Sequence, residues 1–184
     1  MGIDPDTSRL QVAREKYSLD NMLFQEGRAE EIPGTDYDVV FSNNVLHWCQ
    51  DKDHVFQQIA KSLKEGGKFG YVIVKDFSIE EEFCTPAEMF APEGRNHMIQ
   101  MMPVPTSGEL HNLASDNGFV TLHFKEHIHK WKFENFHKLI EFYMTHFTKV
   151  KREHFNTEAM KRHFGEGEIV LKIPYTTIIL KKQH

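Results

Sequence analysis

Cysteine is nearly absent from this chain. Cys49 and Cys84 are the two thiols in 184 residues, and their spacing fits no metal-binding pattern. Such usage suits a reducing compartment, and a cytoplasmic protein is expected. No apolar run is long enough to cross a bilayer, and no signal-peptide pattern opens the chain. Met1-Gly2 begins like a myristoylation signal, but Asp6 stands where Ser or Thr is required. Basic residues do not dominate either: 22 Lys and Arg against 27 Asp and Glu leave a net charge of -5. Nothing in that balance favours nucleic acid or an acidic membrane as a partner. The length suits a single domain, residues 1–184, with a real core. Fifteen Phe are what the chain has in plenty, and an aromatic-lined site for a small molecule would use some of them.

The chain is organised around the stretch from Tyr37 to Val74. Val39-Val40-Phe41 is a short apolar run ending in Ser42-Asn43, and it reads as a strand buried on both faces. A helix follows, with Asp51 at its N-cap and an apolar stripe of Val55, Ile59 and Leu63 beside Phe56 and Ala60. Glu65-Gly66-Gly67 supplies the helix stop, and Phe69 to Val74 is a second buried strand. This is a βαβ unit, so the strands should be parallel with a right-handed crossover. In open α/β sheets ligands sit beyond the carboxyl ends of the strands. Asn43, His47 and Trp48 cluster at that place in "SNNVLHW".

The order "YDVVFSNNVLHW", helix, "LKEGG", apolar strand resembles the class I S-adenosylmethionine-dependent methyltransferases. More narrowly, it is similar to the small-molecule carboxyl methyltransferases, the juvenile hormone acid, trans-aconitate and malonyl-acyl-carrier-protein branch. The resemblance implies an α/β, Rossmann-like sheet of order 3-2-1-4-5-7-6 with an antiparallel last strand. It also implies S-adenosylmethionine as cofactor.

Taken in order, Gly2-Ile3-Asp4 looks like the end of a strand, followed by a helix from about Thr7 to Tyr17 with Leu10, Ala13 and Tyr17 inward. In the family, an acidic residue ending the second strand accepts hydrogen bonds from both ribose hydroxyls. Asp4 falls there, and a carboxylate can take two donors at once; as an alternative, it caps the following helix. Met22 to Gln25 is the next strand, leading to Gly27-Arg28-Ala29-Glu30-Glu31-Ile32-Pro33. That run resembles the family's adenine-holding loop. Arg28 replaces its usual Asp and cannot accept from the adenine amine, so either Glu30 or a backbone carbonyl substitutes or adenine recognition is weaker, while Ala29 would still offer a backbone N–H. A solvated Arg28 is the alternative.

Residues 77–105 hold a Met- and Phe-rich excursion, either a pocket wall or a loop folded over the core. Thr106 and Glu109 then form a capping box, and Asn117-Gly118 ends that helix. Phe119 to about Phe133 is strand, with His123, His127 and His129 close together, either metal ligands or exposed strand side chains. Phe136, Leu139, Ile140, Tyr143 and Phe147 form a helical stripe. Residues 130–167 are thus a lid candidate or an ordinary packed helix. Tyr175 to Leu180 is the last strand.

The family's glycine-rich motif between first strand and first helix has no counterpart in this chain. The resemblance therefore implies an N-terminally truncated domain that enters the family at the end of strand two. Methyl transfer from a sulfonium needs a nucleophile aligned and desolvated. The implied acceptor is a hydrophobic carboxylic acid, already ionised. Trp48 and His47 would donate hydrogen bonds that orient its carboxylate, and Asn43 would contact the methionine end of the cofactor. A hydroxyl or amine acceptor would instead need His47 as base. The competing reading is a non-catalytic methyltransferase-like fragment or interaction module.

Overall fold

The computed structural model describes residues 1–17, 19–74, 89–91, 104–146 and 150–183. Strand β1 (Gly2–Asp4) ends in a turn in which Asp4 Oδ1 accepts the Asp6 N–H at 2.8 Å. Asp6 itself caps helix α1 (Thr7–Lys16), taking the N–H groups of Ser8 and Arg9. Leu10 is the buried residue of α1, whereas Tyr17, expected inward, is exposed. Strand β2 (Phe24–Glu26) pairs parallel with β1. It starts two residues later than expected because the Met22 N–H is bound back to Leu19 in a turn.

The central unit is present, with one change. Strand β3 (Tyr37–Asn43) pairs parallel with β4 (Leu63–Val74) across helix α2 (Lys52–Ser62). Asp51 caps α2 through the His54 N–H at 2.9 Å. The expected helix stop at Glu65-Gly66-Gly67 is instead a bulge inside β4. The helix ends at Ser62, and the register jumps from Tyr37 opposite Leu63 to Val39 opposite Lys68. Gly66 takes φ +71, and a Cβ on Gly67 would lie 2.9 Å from the Lys64 carbonyl oxygen, so both positions require glycine.

Helix α3 (Ser107–Asp116) opens with the Thr106–Glu109 capping box. Strand β5 (Phe119–Phe133), helix α4 (Phe136–His146), helix α5 (Thr157–Phe164) and strand β6 (Ile169–Lys182) complete the chain. Strand β6 begins before the expected Tyr175 because burial at alternate positions already starts at Ile169, Leu171 and Ile173. The order is β3-β4-β6-β5, with β6 antiparallel to both neighbours. The antiparallel last strand thus lies beside β4. Among the described residues β1 and β2 form a separate pair.

Alternation along β4 and β6 separates two cores. Phe69, Tyr71 and Ile73 with Ile178 and Leu180 pack against α2 and α3, where Val55, Phe56, Ile59, Leu110 and Ala114 are buried. Burying side chains of this size stabilises by roughly 1.5 to 3 kcal/mol each. On the opposite face Val74, Ile173 and Tyr175 pack against α4, α5 and the Met89–Phe90 segment. The expectation that β3 is buried on both faces does not hold: Val39 is 61% and Phe41 66% exposed. No described element covers that face beside Gly70, over which the Phe41 ring lies.

Candidate functional site

The parallel strands present their carboxyl ends as two groups of residues. In the first group Asp4 closes β1, and its carbonyl accepts the N–H of Gly27 at 3.3 Å, tying it to the loop after β2. Arg28 is exposed, whereas Ala29 and Glu30 are half-buried. Ala29 packs against the α2–α3 core. In the second group Asn43 ends β3 on its exposed side, and Asn44 turns the chain with φ +55, a left-handed conformation that asparagine tolerates. A 3₁₀ turn, Leu46–Trp48, follows. It buries His47, leaves Trp48 half-buried, and sets their rings 5.1 Å apart.

The two groups meet through the Glu30 carbonyl, which lies 3.2 Å from His54 Nε2 on α2. The Glu30 carboxylate also helps raise the Cys49 thiol to about 11, behind the larger effect of burial. Asp4, the 27–30 loop, Asn43, His47 and Trp48 thus lie at the carboxyl ends of β1, β2 and β3 and the segments that follow them.

His47 has an unusual environment. Burial, aided by the nearby Lys52 ammonium, pushes its pKa down to about 4, and Nδ1 is buried without a hydrogen-bond partner. Lys52 Nζ itself donates to the Cys49 carbonyl at 2.8 Å, and burial lowers its pKa. Ser42 Oγ, Asn44 Oδ1 and Tyr71 OH are also buried and unpaired. Orphaned polar atoms are costly in a stable interior, and three of the four lie between residues 42 and 47. Asn44 and Lys52, which lie beside these residues, were not singled out from the sequence. The positive φ at Asn44 carries no one-dimensional signal, since Asn43 and Asn44 look alike in sequence.

Among the described residues no group of three His, Cys, Asp or Glu is placed to hold a metal ion. His123, His127 and His129 are exposed. A 370 Å³ cavity lies between Lys52 and the Glu109, Asn112 and Asp116 side of α3. None of Asp4, Arg28, Ala29, Glu30, Asn43, His47 and Trp48 lines it. No described helix is long and apolar enough to cross a membrane.

This is the fold of the class I S-adenosylmethionine-dependent methyltransferases, and residues 1–70 match the family model described as a methyltransferase domain. Over 60 residues the chain is 35% identical to "Methyltransferase gedG" of Aspergillus terreus, covering 31% of this chain and 19% of that protein. The chain therefore matches about a fifth of the length of such curated relatives. A crystal structure from Bacillus halodurans, described as a methyltransferase, superposes with a TM-score of 0.66 at 14% identity, covering 99% of this chain and 82% of that one. Phosphoethanolamine N-methyltransferase 2 of Haemonchus contortus, in complex with S-adenosyl-L-methionine, gives 0.56 at 16% identity, covering 100% of this chain and 43% of that one.

Proposed function

We propose that this chain belongs to an S-adenosylmethionine-dependent methyltransferase acting on a small-molecule carboxylate. The cofactor supplies a methyl group on a sulfonium, so its C–S bond breaks as a C–O bond forms and the neutral thioether departs. The chain's residues fit that ligand in part. Asp4 has one carboxylate oxygen engaged by Asp6, and its carboxylate still has acceptor capacity for ribose hydroxyls. Ala29 and Glu30 stand in the adjoining loop for the adenine, and Arg28 takes no part. Asn43 faces the methionine end. A glycine cradle is what the chain lacks, and the unjoined β1–β2 pair and the bare face of β3 support a further strand and helix between them. On this reading the sheet order is 3-2-1-4-5-7-6.

The observation that carries the carboxylate reading is His47. A buried imidazole whose conjugate acid has a pKa of about 4 is a weak base, poorly matched to deprotonating a hydroxyl or an ammonium. A carboxylate needs no base. What it needs is donors and a dry pocket. Trp48 offers an indole N–H from a position packed against the α4–α5 core, and neutral His47 offers a ring nitrogen. The described parts of the two insertions, residues 130–146, 150–167, 89–91 and 104–105, are on this reading the acceptor wall. The buried Cys49 thiol accords with a reducing, cytoplasmic setting.

The test is incubation of the full-length protein with methyl-labelled cofactor and a panel of carboxylic acids, amines and phenols. Label recovered as base-labile methyl ester supports the reading; label on amines or phenols alone sinks it. A second reading, a non-catalytic module, draws on the absent glycine cradle and predicts no label on any acceptor.

A further inference from the structure

Strands β5 and β6 carry six Lys and one Glu in a chain whose net charge is -5. Three of those lysines share one face. Among the described residues β6 pairs with β4 only as far as Tyr175, opposite Val74. From Pro174 to Ile169 it pairs with β5 alone, so a two-stranded ribbon runs past the carboxyl end of β4. Ile169, Leu171 and Ile173 turn one face of the ribbon onto the α4–α5 core, with Trp131 and Phe133 packed beside them. Alternation turns Ile128, Lys130 and Lys132, with their neighbours Pro174, Lys172 and Val170, to the other face. That face is bare. Ile128 is 53% and Val170 44% exposed, and the three lysines are exposed as well. Further down the same face, α2 and α3 cover Ile178 and Leu180, and Ser107 Oγ at the start of α3 donates to Glu126 Oε1 at 3.1 Å.

Lys130 and Lys172 are direct cross-strand partners. Like charges placed so, with Cβ atoms about 5 Å apart, destabilise the pairing of their strands. Neither has an ion-pair partner among the described residues. Lys132, two residues along the same face, has one exposed contact, 3.4 Å to Glu168. Carboxylates brought from outside the chain would relieve this repulsion. The surroundings select the kind of molecule that brings them. A strand face is not concave, as small-molecule sites are. Single-stranded nucleic acid stacks on aromatic side chains, and Trp131 and Phe133 lie on the opposite face. Ile128 and Val170 are too little apolar surface to hold a lipid interface. What covers this face further down is helix, so a helix is what fits beside α3. We propose that the bare face of the β5–β6 ribbon docks an acidic amphipathic helix of a partner protein. Its carboxylates meet Lys130, Lys132 and Lys172, and its apolar residues meet Ile128 and Val170 on either side of the lysine pair. This docking does not depend on the identity of the methyl acceptor.

The test uses the full-length protein and a labelled helical peptide with Leu on one face and Glu on the other, beside the same peptide with Lys for Glu. By fluorescence anisotropy the Glu peptide should bind and the Lys peptide should not, and binding should weaken as salt rises. Lys172→Glu should weaken the Glu peptide at least about tenfold. Because it turns a like-charge cross-strand pair into an opposite-charge one, it should also raise the denaturant midpoint. Lys16→Glu, the same charge change on α1, should bind the Glu peptide within about twofold of wild type. Wild type that ignores the Glu peptide, or binds both peptides alike, overturns the proposal. So does a Lys172→Glu protein that binds like wild type, and a lowered midpoint in that variant would show that the lysine pair is not repulsive and overturn it too. Phosphatidylserine vesicles or single-stranded DNA bound more tightly than the Glu peptide, and lost with Lys172→Glu, would assign the face to a membrane or a nucleic acid instead. Self-association of wild type that Lys172→Glu abolishes would assign it to a second copy of this chain; either result overturns the proposal.

Discussion

The Nε2 of His54 lies 3.2 Å from the carbonyl oxygen of Glu30, and this contact ties the loop after β2 to the first turns of α2. Among the described residues the two strand groups share no hydrogen-bonded ladder, so such links between segments matter. His54→Ala should cost about 1 kcal/mol, the net worth of one hydrogen bond. Amide exchange in residues 27–33 should accelerate more than in α3. Equal acceleration everywhere would mean that the link does not hold the loop.

His47 makes the fold sensitive to acid. Its folded pKa of about 4 lies below the ordinary value of 6.5, so the unfolded chain binds more protons between those values. Stability from this group is complete above about pH 6.5, falls as pH drops, and is fully lost below about 4. The total is about 3 kcal/mol at 1.36 kcal/mol per unit. Denaturant midpoints between pH 4 and 8 should show the slope in wild type and a flatter one in His47→Leu. Because Nδ1 has no partner to lose, that substitution should cost little at pH 8. An unchanged pH slope in the variant would place the acid sensitivity elsewhere.

The βαβ unit, the capping box at Thr106 and the long strand β5 were legible in the sequence because each rests on local periodicity or local hydrogen bonding. The glycines at 66 and 67 misled, since a helix stop and a strand bulge use the same residues, and the pairing partner across β3 decides between them. The exposure of Val39 and Phe41 was beyond reach for a related reason. An apolar run reports that a face wants covering, not whether anything covers it. His47 and Trp48 were picked out as candidates through their place after a strand.

Trp48→Phe keeps most of the bulk against the α4–α5 core and removes the indole donor. Catalytic efficiency on carboxylic acids should fall about tenfold or more, while affinity for S-adenosylhomocysteine persists. Steady-state kinetics beside calorimetry would show it, and intact efficiency would return Trp48 to the core alone.

Asp4→Ala should weaken cofactor affinity at least about tenfold, or 1.4 kcal/mol, in the full-length protein. The Asp6 N–H loses its acceptor in the same variant, so Asp4→Asn, which keeps an oxygen there, separates the turn from the ribose contact. If calorimetry finds both variants binding like wild type, Asp4 leaves the site.

On the proposed reading, a strand and a glycine loop complete the site between Asp4 and Asn43. Two strands flanking a common neighbour sit about 9.6 Å apart, twice the strand spacing, too far to pair directly. Open edges and bare apolar faces invite association with other chains. The most direct measurement is calorimetric titration of S-adenosylmethionine into residues 1–184, alone and with a strand–glycine loop–helix segment of a class I methyltransferase fused before Met1. Alone, the chain should bind more weakly than about millimolar, a ΔG no better than about -4 kcal/mol, and the fusion should bind at micromolar concentrations. A monomeric, cooperatively melting sample of residues 1–184 that binds the cofactor at micromolar affinity by itself would contradict the account.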